Sequence, residues 1–190
     1  MSIATEFDPA AYGSAFAEVI GSEPVMPLGV GKADAALRSV LEALTVESAF
    51  AEATIVDRGS AECCLAGVWL LHGFLDEAHA ICQDVPSPAG SYWHGVMHRR
   101  EGDFGNAAYW FRRAGSLPID PLLASAASAS PETIELALGG QWDSAGFVEH
   151  VQRARRTQGD LAASCLALQR AEWRVLFDWC WREALGSSGS

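Results

Sequence analysis

The sequence GSYWHGVMHRREGDFGNAAYWFRRAG, residues 90–115, decides the fold because it echoes the stretch before it, AECCLAGVWLLHGFLDEAHAICQDV, residues 61–85. Each stretch has two segments with helical apolar spacing on either side of a glycine, Gly73 or Gly102. When the two glycines are superposed, the apolar positions of the second segments coincide. The aligned pairs are Leu75 with Phe104, Ala78 with Ala107, Cys82 with Phe111 and Val85 with Ala114. The echo predicts an all-α fold, a compact array of antiparallel helical hairpins.

Helical spacing and turn residues predict the other elements of the chain. Ser60 is the predicted cap of the first hairpin, Asp103 caps the return helix of the second, and the run PSPAG after residue 85 stops a helix. A third, weaker copy covers residues 138–154, and a long helix covers the C-terminal end. The predicted helices are 10–20, 33–56, 60–72, 74–85, 91–101, 104–114 and 161–185. The predicted organisation is an N-terminal extension and connector (1–31), one helical domain (32–185) and a flexible tail (186–190).

The second hairpin resembles the tetratricopeptide repeat. That family places a small residue on the first helix, a glycine at the turn, and alanine and bulky apolar residues on the second helix. The matching residues are Gly95, Gly102, Ala107, Phe111, Ala114 and Pro118. The copies here are 29 and then 38 residues apart, whereas the family repeats every ~34 residues. The resemblance therefore implies a compact tetratricopeptide-like array with a groove for a peptide, and not an open solenoid.

The middle of the chain also resembles a group of bacterial proteins that share the motif S-Y-W-H-x3-H-R-R-E. Residues 91–101 carry this motif and residues 106–113 carry a following N-x2-Y-W-F-R-R. Further likeness falls at residues 68–79 and 172–180, so the similarity spans roughly residues 60–180. The resemblance labels a family and implies no particular activity.

Composition and charge exclude several classes of function. The formal net charge of −11 disfavours nucleic acid, because binding it depends on neutralising phosphates. No apolar run reaches the ~18 residues that span a bilayer, so no membrane partner is expected. The first residues lack the basic segment of a secretory signal, which predicts a cytoplasmic protein. The five cysteines form no CxxC pair and are expected to be reduced and mostly buried.

Two histidines and an acid in the second hairpin predict a metal site. His94, His98 and Glu101 fall at i, i+4 and i+7, so they share one face of a helix. Imidazole and carboxylate are ligands for divalent metals such as zinc, manganese or iron. His72 and His79 of the preceding hairpin could complete the site. The alternative is that the histidines bridge stacked helices by hydrogen bonds, beside Tyr92 or Trp110.

The same hairpin reverses the local charge, which predicts an anion-binding surface. Residues 61–90 are acidic, whereas four arginines outnumber two acids in residues 91–117. Arginine binds carboxylate and phosphate through a planar fork, and aromatic faces hold rings or cations. The predicted ligand-binding residues are Trp93, His94, His98, Arg99, Arg100, Trp110, Arg112 and Arg113. Under the alternative interpretation the arginines pair internally, Arg99 with Asp103 and the others with the acidic hairpin.

Three functional hypotheses follow from these patterns. The favoured one is a binding module for an acidic peptide, a partner protein or a small anionic ligand. The second is a metal-binding protein or metal-dependent enzyme that uses the face of His94, His98 and Glu101. The third is a structural homo-oligomer such as a homodimer, with Trp179 and Trp181 at the interface because both fall off the apolar stripe of the final helix. No catalytic motif decides between them.

Overall fold

The structure is a computed structural model that describes residues 7–21, 24–157 and 159–187. These residues form helices and connections with no strand among them, as the all-α prediction requires. The α-helices are α1 (Ser14–Ile20), α2 (Arg38–Ala43), α3 (Val46–Ala49), α4 (Arg58–Leu71), α5 (Leu75–Asp84), α6 (Pro88–Glu101), α7 (Phe104–Ala114), α8 (Asp120–Ala127), α9 (Ser144–Ala154) and α10 (Asp160–Ala184). Short 3-10 helices cover Pro9–Tyr12 and Ile134–Gly140.

The two predicted hairpins are α4 with α5 and α6 with α7. Gly73 and Gly102 turn between the helices with φ of 81° and 94°, values that favour glycine. Gly95 on α6 faces the ring of Phe111 on α7, where a Cβ would come within 3.0 Å of the ring. Helix α5 packs on α6, and α7 packs on α9, so the hairpins stack in chain order. The tetratricopeptide resemblance itself stays a prediction.

Two helix starts differ from the prediction because nearby side chains cap them earlier. Asp57, not Ser60, caps α4: its carboxylate accepts a hydrogen bond from the Ser60 amide. Helix α6 begins at Pro88 and not at residue 91, because Ser87 accepts from the Gly90 amide and proline suits the first helical position. The predicted Asp103 cap of α7 is confirmed by its bond to the Asn106 amide.

The prediction of one long helix over residues 33–56 is wrong. Helix α2 ends at Ala43, the backbone of Leu44 is extended, and α3 starts afresh at Val46. The break occurs at a capping box in which the Thr45 and Ser48 side chains each accept from the other residue's backbone amide. Such local hydrogen bonds compete with helix continuation. The apolar spacing alone did not reveal the break.

The predicted long C-terminal helix is confirmed as α10, which packs mainly on α4. The buried residues of its stripe include Cys165, Leu168, Trp173, Leu176, Phe177, Cys180 and Ala184. Part of the predicted N-terminal extension packs beside α10, since Phe16 and Ile20 are fully buried in the same core. All five cysteines are buried and free. In the described part of the chain no helix is long and apolar enough to cross a membrane.

The two tryptophans predicted to be exposed or to meet a partner pack within the chain. Trp181 stacks on Phe50 with ring centroids 4.6 Å apart. Trp179 donates its indole N–H to Glu183 and lies against the core. Both indoles are half-buried, and Tyr12, Phe16 and Phe50 pack against Trp181. The homodimer itself stays a prediction.

Gly102→Val is expected to lower the free energy of unfolding by about 1 kcal/mol or more, because a branched side chain disfavours positive φ. The added Cβ would also lie against the guanidinium of Arg155. Gly105→Ala in α7 is the control: its Cβ meets no atom closer than 3.8 Å, and helix propensity favours alanine. Urea unfolding measures both variants, and equal stability of Gly102→Val and the unchanged protein would refute the turn assignment.

Candidate metal centre

Three histidines from two helices converge at the junction of the two hairpins. His79 lies on α5, and His94 and His98 lie one turn apart on α6; one ring nitrogen from each lies within 4.8 Å of the others. The His94 and His98 rings stack with centroids 4.9 Å apart, and the His79 ring meets His94 edge-on at 4.6 Å. Three imidazole nitrogens at this separation can surround a single divalent ion.

Local sequence explains why these rings meet. The connection between α5 and α6 is only three residues, 85–87, so the two helices must be neighbours. The i, i+4 spacing puts His94 and His98 on one face of α6. His79 is near the middle of α5 and projects onto that face. His94 and His98 are buried and His79 is half-buried, so His79 marks the side of the cluster nearest to solvent.

Glu101 orients one histidine instead of joining the cluster. Its carboxylate lies 3.0 Å from Nδ1 of His98, which leaves Nε2 of that ring for a metal. A carboxylate on the second nitrogen of a metal-binding histidine fixes its tautomer and raises its basicity. The structure therefore groups His79, and not Glu101, with His94 and His98, and it places Glu101 against Nδ1 of His98.

Trp110 covers one side of the cluster, as the antiparallel hairpin predicts. Its ring stacks on His94 with centroids 3.9 Å apart and an angle of 13°. Burial, together with the neighbouring His79, His98 and Arg113, lowers the pKa of His94 to about 4. Nδ1 of His94 is buried and has no hydrogen-bond partner among the described residues. His94 is thus neutral at pH 7, the form that binds metals.

His72, the other predicted supplementary ligand, lies away from the cluster. Its Nε2 is 2.7 Å from the carbonyl oxygen of Val19, and it ties the N-terminal helix α1 to the end of α4. Burial lowers its pKa, which favours a neutral ring that donates this hydrogen bond. His72 is therefore not part of the histidine cluster, and its Nε2 is committed to the backbone of α1.

Arg99, predicted to bind a ligand or to pair with Asp103, is fully buried and pairs with Glu172 of α10. The pairing is bidentate: Nη1 donates to Oε1 at 3.0 Å, and Nη2 donates to Oε2. Tyr92 also donates to Glu172, at 3.0 Å, and Trp142 donates to the Tyr92 hydroxyl. This network joins α6, α10 and the loop before α9, so both interpretations of Arg99 from the sequence are wrong.

Arg100 is buried as well, but its guanidinium binds backbone and not carboxylate. It donates to the carbonyl oxygens of Leu70, Gly29 and Val30, the latter two at 3.4 and 3.2 Å. Burial lowers its pKa to about 10, with a further contribution from Arg99, so it stays charged at pH 7. Arg100 fastens the connector before α2 to the C-terminal end of α4, and it is unavailable to a ligand.

The remaining predicted ligand residues divide between the interior and the surface. Trp93 is fully buried and packs toward Trp173. Arg112 and Arg113 are exposed on α7, and the Arg113 guanidinium lies over Trp110, 5.0 Å from the ring centroid. Trp110 and Arg113 therefore lie next to the histidines at the surface, whereas Trp93, Arg99 and Arg100 are buried in the interior.

Sequence reasoning missed Glu172 although a signal was present. Glu172 falls on the buried stripe of α10, one residue before Trp173, where an acid is out of place unless something neutralises it. Its partner is 73 residues away, which no local pattern indicates.

Comparison with known proteins finds no match to this chain. No protein-family model matches the chain, and neither a curated protein nor a solved structure is significantly similar to it. The function must therefore be argued from the chemistry of the site.

Proposed function

We propose that this protein binds one divalent transition metal, zinc in preference to manganese or iron, through His79, His94 and His98. The observation that carries the proposal is the convergence of three ring nitrogens within 4.8 Å at the hairpin junction. The competing interpretation was that the histidines bridge helices by hydrogen bonds. Among the described residues the rings of this cluster make one hydrogen bond, from His98 to Glu101 on the same helix, so bridging does not account for the arrangement.

The donor set favours zinc. All three candidate ligands are imidazoles, whereas manganese prefers oxygen ligands and non-haem iron favours two histidines with a carboxylate. Zinc accepts three histidines and keeps a fourth position for water or a substrate. Glu101 would orient His98 and raise its basicity, because it contacts Nδ1 and leaves Nε2 for the ion. A zinc ion with an open position is the arrangement of reactive rather than structural sites.

The hypothesis of a groove for an acidic peptide receives less support. Arg99 and Arg100 are fully buried and bonded within the chain. Two of the four arginines predicted to form an anion-binding surface therefore lie in the interior. The tetratricopeptide resemblance remains compatible with a binding role, and we keep it as a proposal about the hairpins. The metal site is the function that the geometry supports best.

Zinc titration of the metal-free protein tests the proposal. We expect one zinc per chain, and we expect His94→Phe and His98→Phe to weaken binding at least about 100-fold, because each removes a ligand but leaves a ring to pack. Glu101→Gln should weaken zinc binding about 10- to 100-fold, the usual effect of losing a carboxylate that orients a metal-binding histidine.

His72→Gln is the matched control, since it removes a buried histidine outside the cluster while a donor to the Val19 carbonyl can remain. Its zinc affinity should equal that of the unchanged protein. Calorimetry that finds no stoichiometric zinc, or that finds equal affinity in His98→Phe and His72→Gln, would refute the metal site.

A further inference from the structure

The histidine cluster has a cation beside it that no acid neutralises. Arg113 is exposed on α7, and its guanidinium lies over the ring of Trp110, which in turn stacks on His94. No carboxylate of the described residues lies within ion-pair distance of Arg113, whereas exposed Arg38 and Arg58 each pair with two acids. Arg113 is therefore held near the cluster by an aromatic face, with its donors unused.

The charge of a loaded site would be strongly positive. Three neutral imidazoles leave the two charges of a divalent ion uncompensated. Among the described residues Glu101 contacts the cluster and Asp103 interacts electrostatically with His98, while Arg113 offsets one of these two negative charges. An anion at the open coordination position would balance this charge, and a guanidinium is well suited to bind its free oxygens.

We infer that the open position of the metal accepts a small oxyanion, a carboxylate or phosphate group, and that Arg113 binds the same anion from the rim of the site. This inference rests on the proposed metal site. Trp110 acts as the spacer: it stacks on His94 and also supports the Arg113 side chain. Arg113 is a binding residue in this arrangement, and His79, the most exposed histidine of the cluster, marks the entrance.

The test uses the full chain loaded with cobalt(II), whose visible absorption reports changes in coordination. Inorganic phosphate and acetate are titrated separately at constant ionic strength, which shows whether phosphate or carboxylate is preferred. We expect either anion to shift the cobalt spectrum with saturation, and Arg113→Met to raise the dissociation constant about tenfold, the loss of one charge-assisted contact. Methionine keeps an apolar stem over Trp110.

Arg112→Met is the control, because it removes the same charge from the adjacent position of α7, which is also exposed. Its anion affinity should stay within about twofold of the unchanged protein. A cobalt spectrum unmoved by both anions, or equal weakening by Arg112→Met and Arg113→Met, would overturn the inference while leaving the metal site intact. If cobalt does not bind, the proposed metal site itself is refuted, and the anion inference is refuted with it.

Discussion

Glu172→Leu is expected to lower the free energy of unfolding by about 3–5 kcal/mol, the cost of leaving a buried charge without its partner. Arg99 is fully buried and its guanidinium is bonded to both oxygens of Glu172. Leucine would fill much of the space of the acid, so lost volume contributes little. The main loss is the negative charge that neutralises Arg99. The Tyr92 hydroxyl also loses the acceptor of its hydrogen bond.

The double variant Arg99→Met/Glu172→Leu separates this charge effect from a packing effect. Replacing both partners with apolar residues removes the unpaired charge, and such replacements are often close to neutral. We expect the double variant to recover at least half of the stability lost in Glu172→Leu. Arg38→Met, which breaks surface pairs with Glu42 and Glu77, is the surface control and should cost about 0–1 kcal/mol. Urea unfolding measures all three, and a double variant less stable than Glu172→Leu would rule out this explanation.

Arg100→Met should be the second most damaging change, with a loss of about 3 kcal/mol. The variant removes the charged donor to the part-buried Gly29 and Val30 carbonyls, and a hydrogen bond to a charged group contributes about 1.5–3 kcal/mol. It also removes a positive charge from the C-terminal end of α4, where the Leu70 carbonyl accepts from Arg100 and a cation is favourable.

Arg100→Lys discriminates between charge and geometry at this site. Lysine restores the charge but cannot reach three separate carbonyls from a planar fork, so we expect an intermediate stability. Exposed Arg112→Met is the control and should change the unfolding free energy by less than about 0.5 kcal/mol. Thermal unfolding in which Arg100→Met matches Arg112→Met would show that Arg100 does not fasten the connector to α4.

The hairpins could be predicted from the sequence because their determinants are local. Gly102 turns the chain with positive φ, Asp103 caps the next helix, and α7 has the predicted bounds, Phe104–Ala114. The break before α3 was missed because the apolar spacing continues across it, and the capping box of Thr45 and Ser48 outweighs that spacing. The hydrogen bonds of this capping box end the helical run before α3.

The candidate site was predicted in part, for a similar reason. The pair His94 and His98 follows from the helical period, and the stack of Trp110 on His94 follows from the antiparallel hairpin. Choosing His79 over His72 required knowledge of how α5 packs on α6. The sequence does not show which turn of α5 lies opposite His94 and His98. The burial of Arg99 could not be foreseen because Glu172 reaches it from a distant helix.

Zinc-edge X-ray absorption of the full chain, loaded with one equivalent of zinc, tests the central claim most directly. We expect three imidazole nitrogens and one further light atom, all at about 2.0–2.1 Å, with the outer-shell scattering of histidine rings. The same measurement on His98→Phe should show one imidazole fewer. A spectrum with sulfur ligands, or with oxygen ligands and no more than one imidazole, would contradict a metal centre built from His79, His94 and His98.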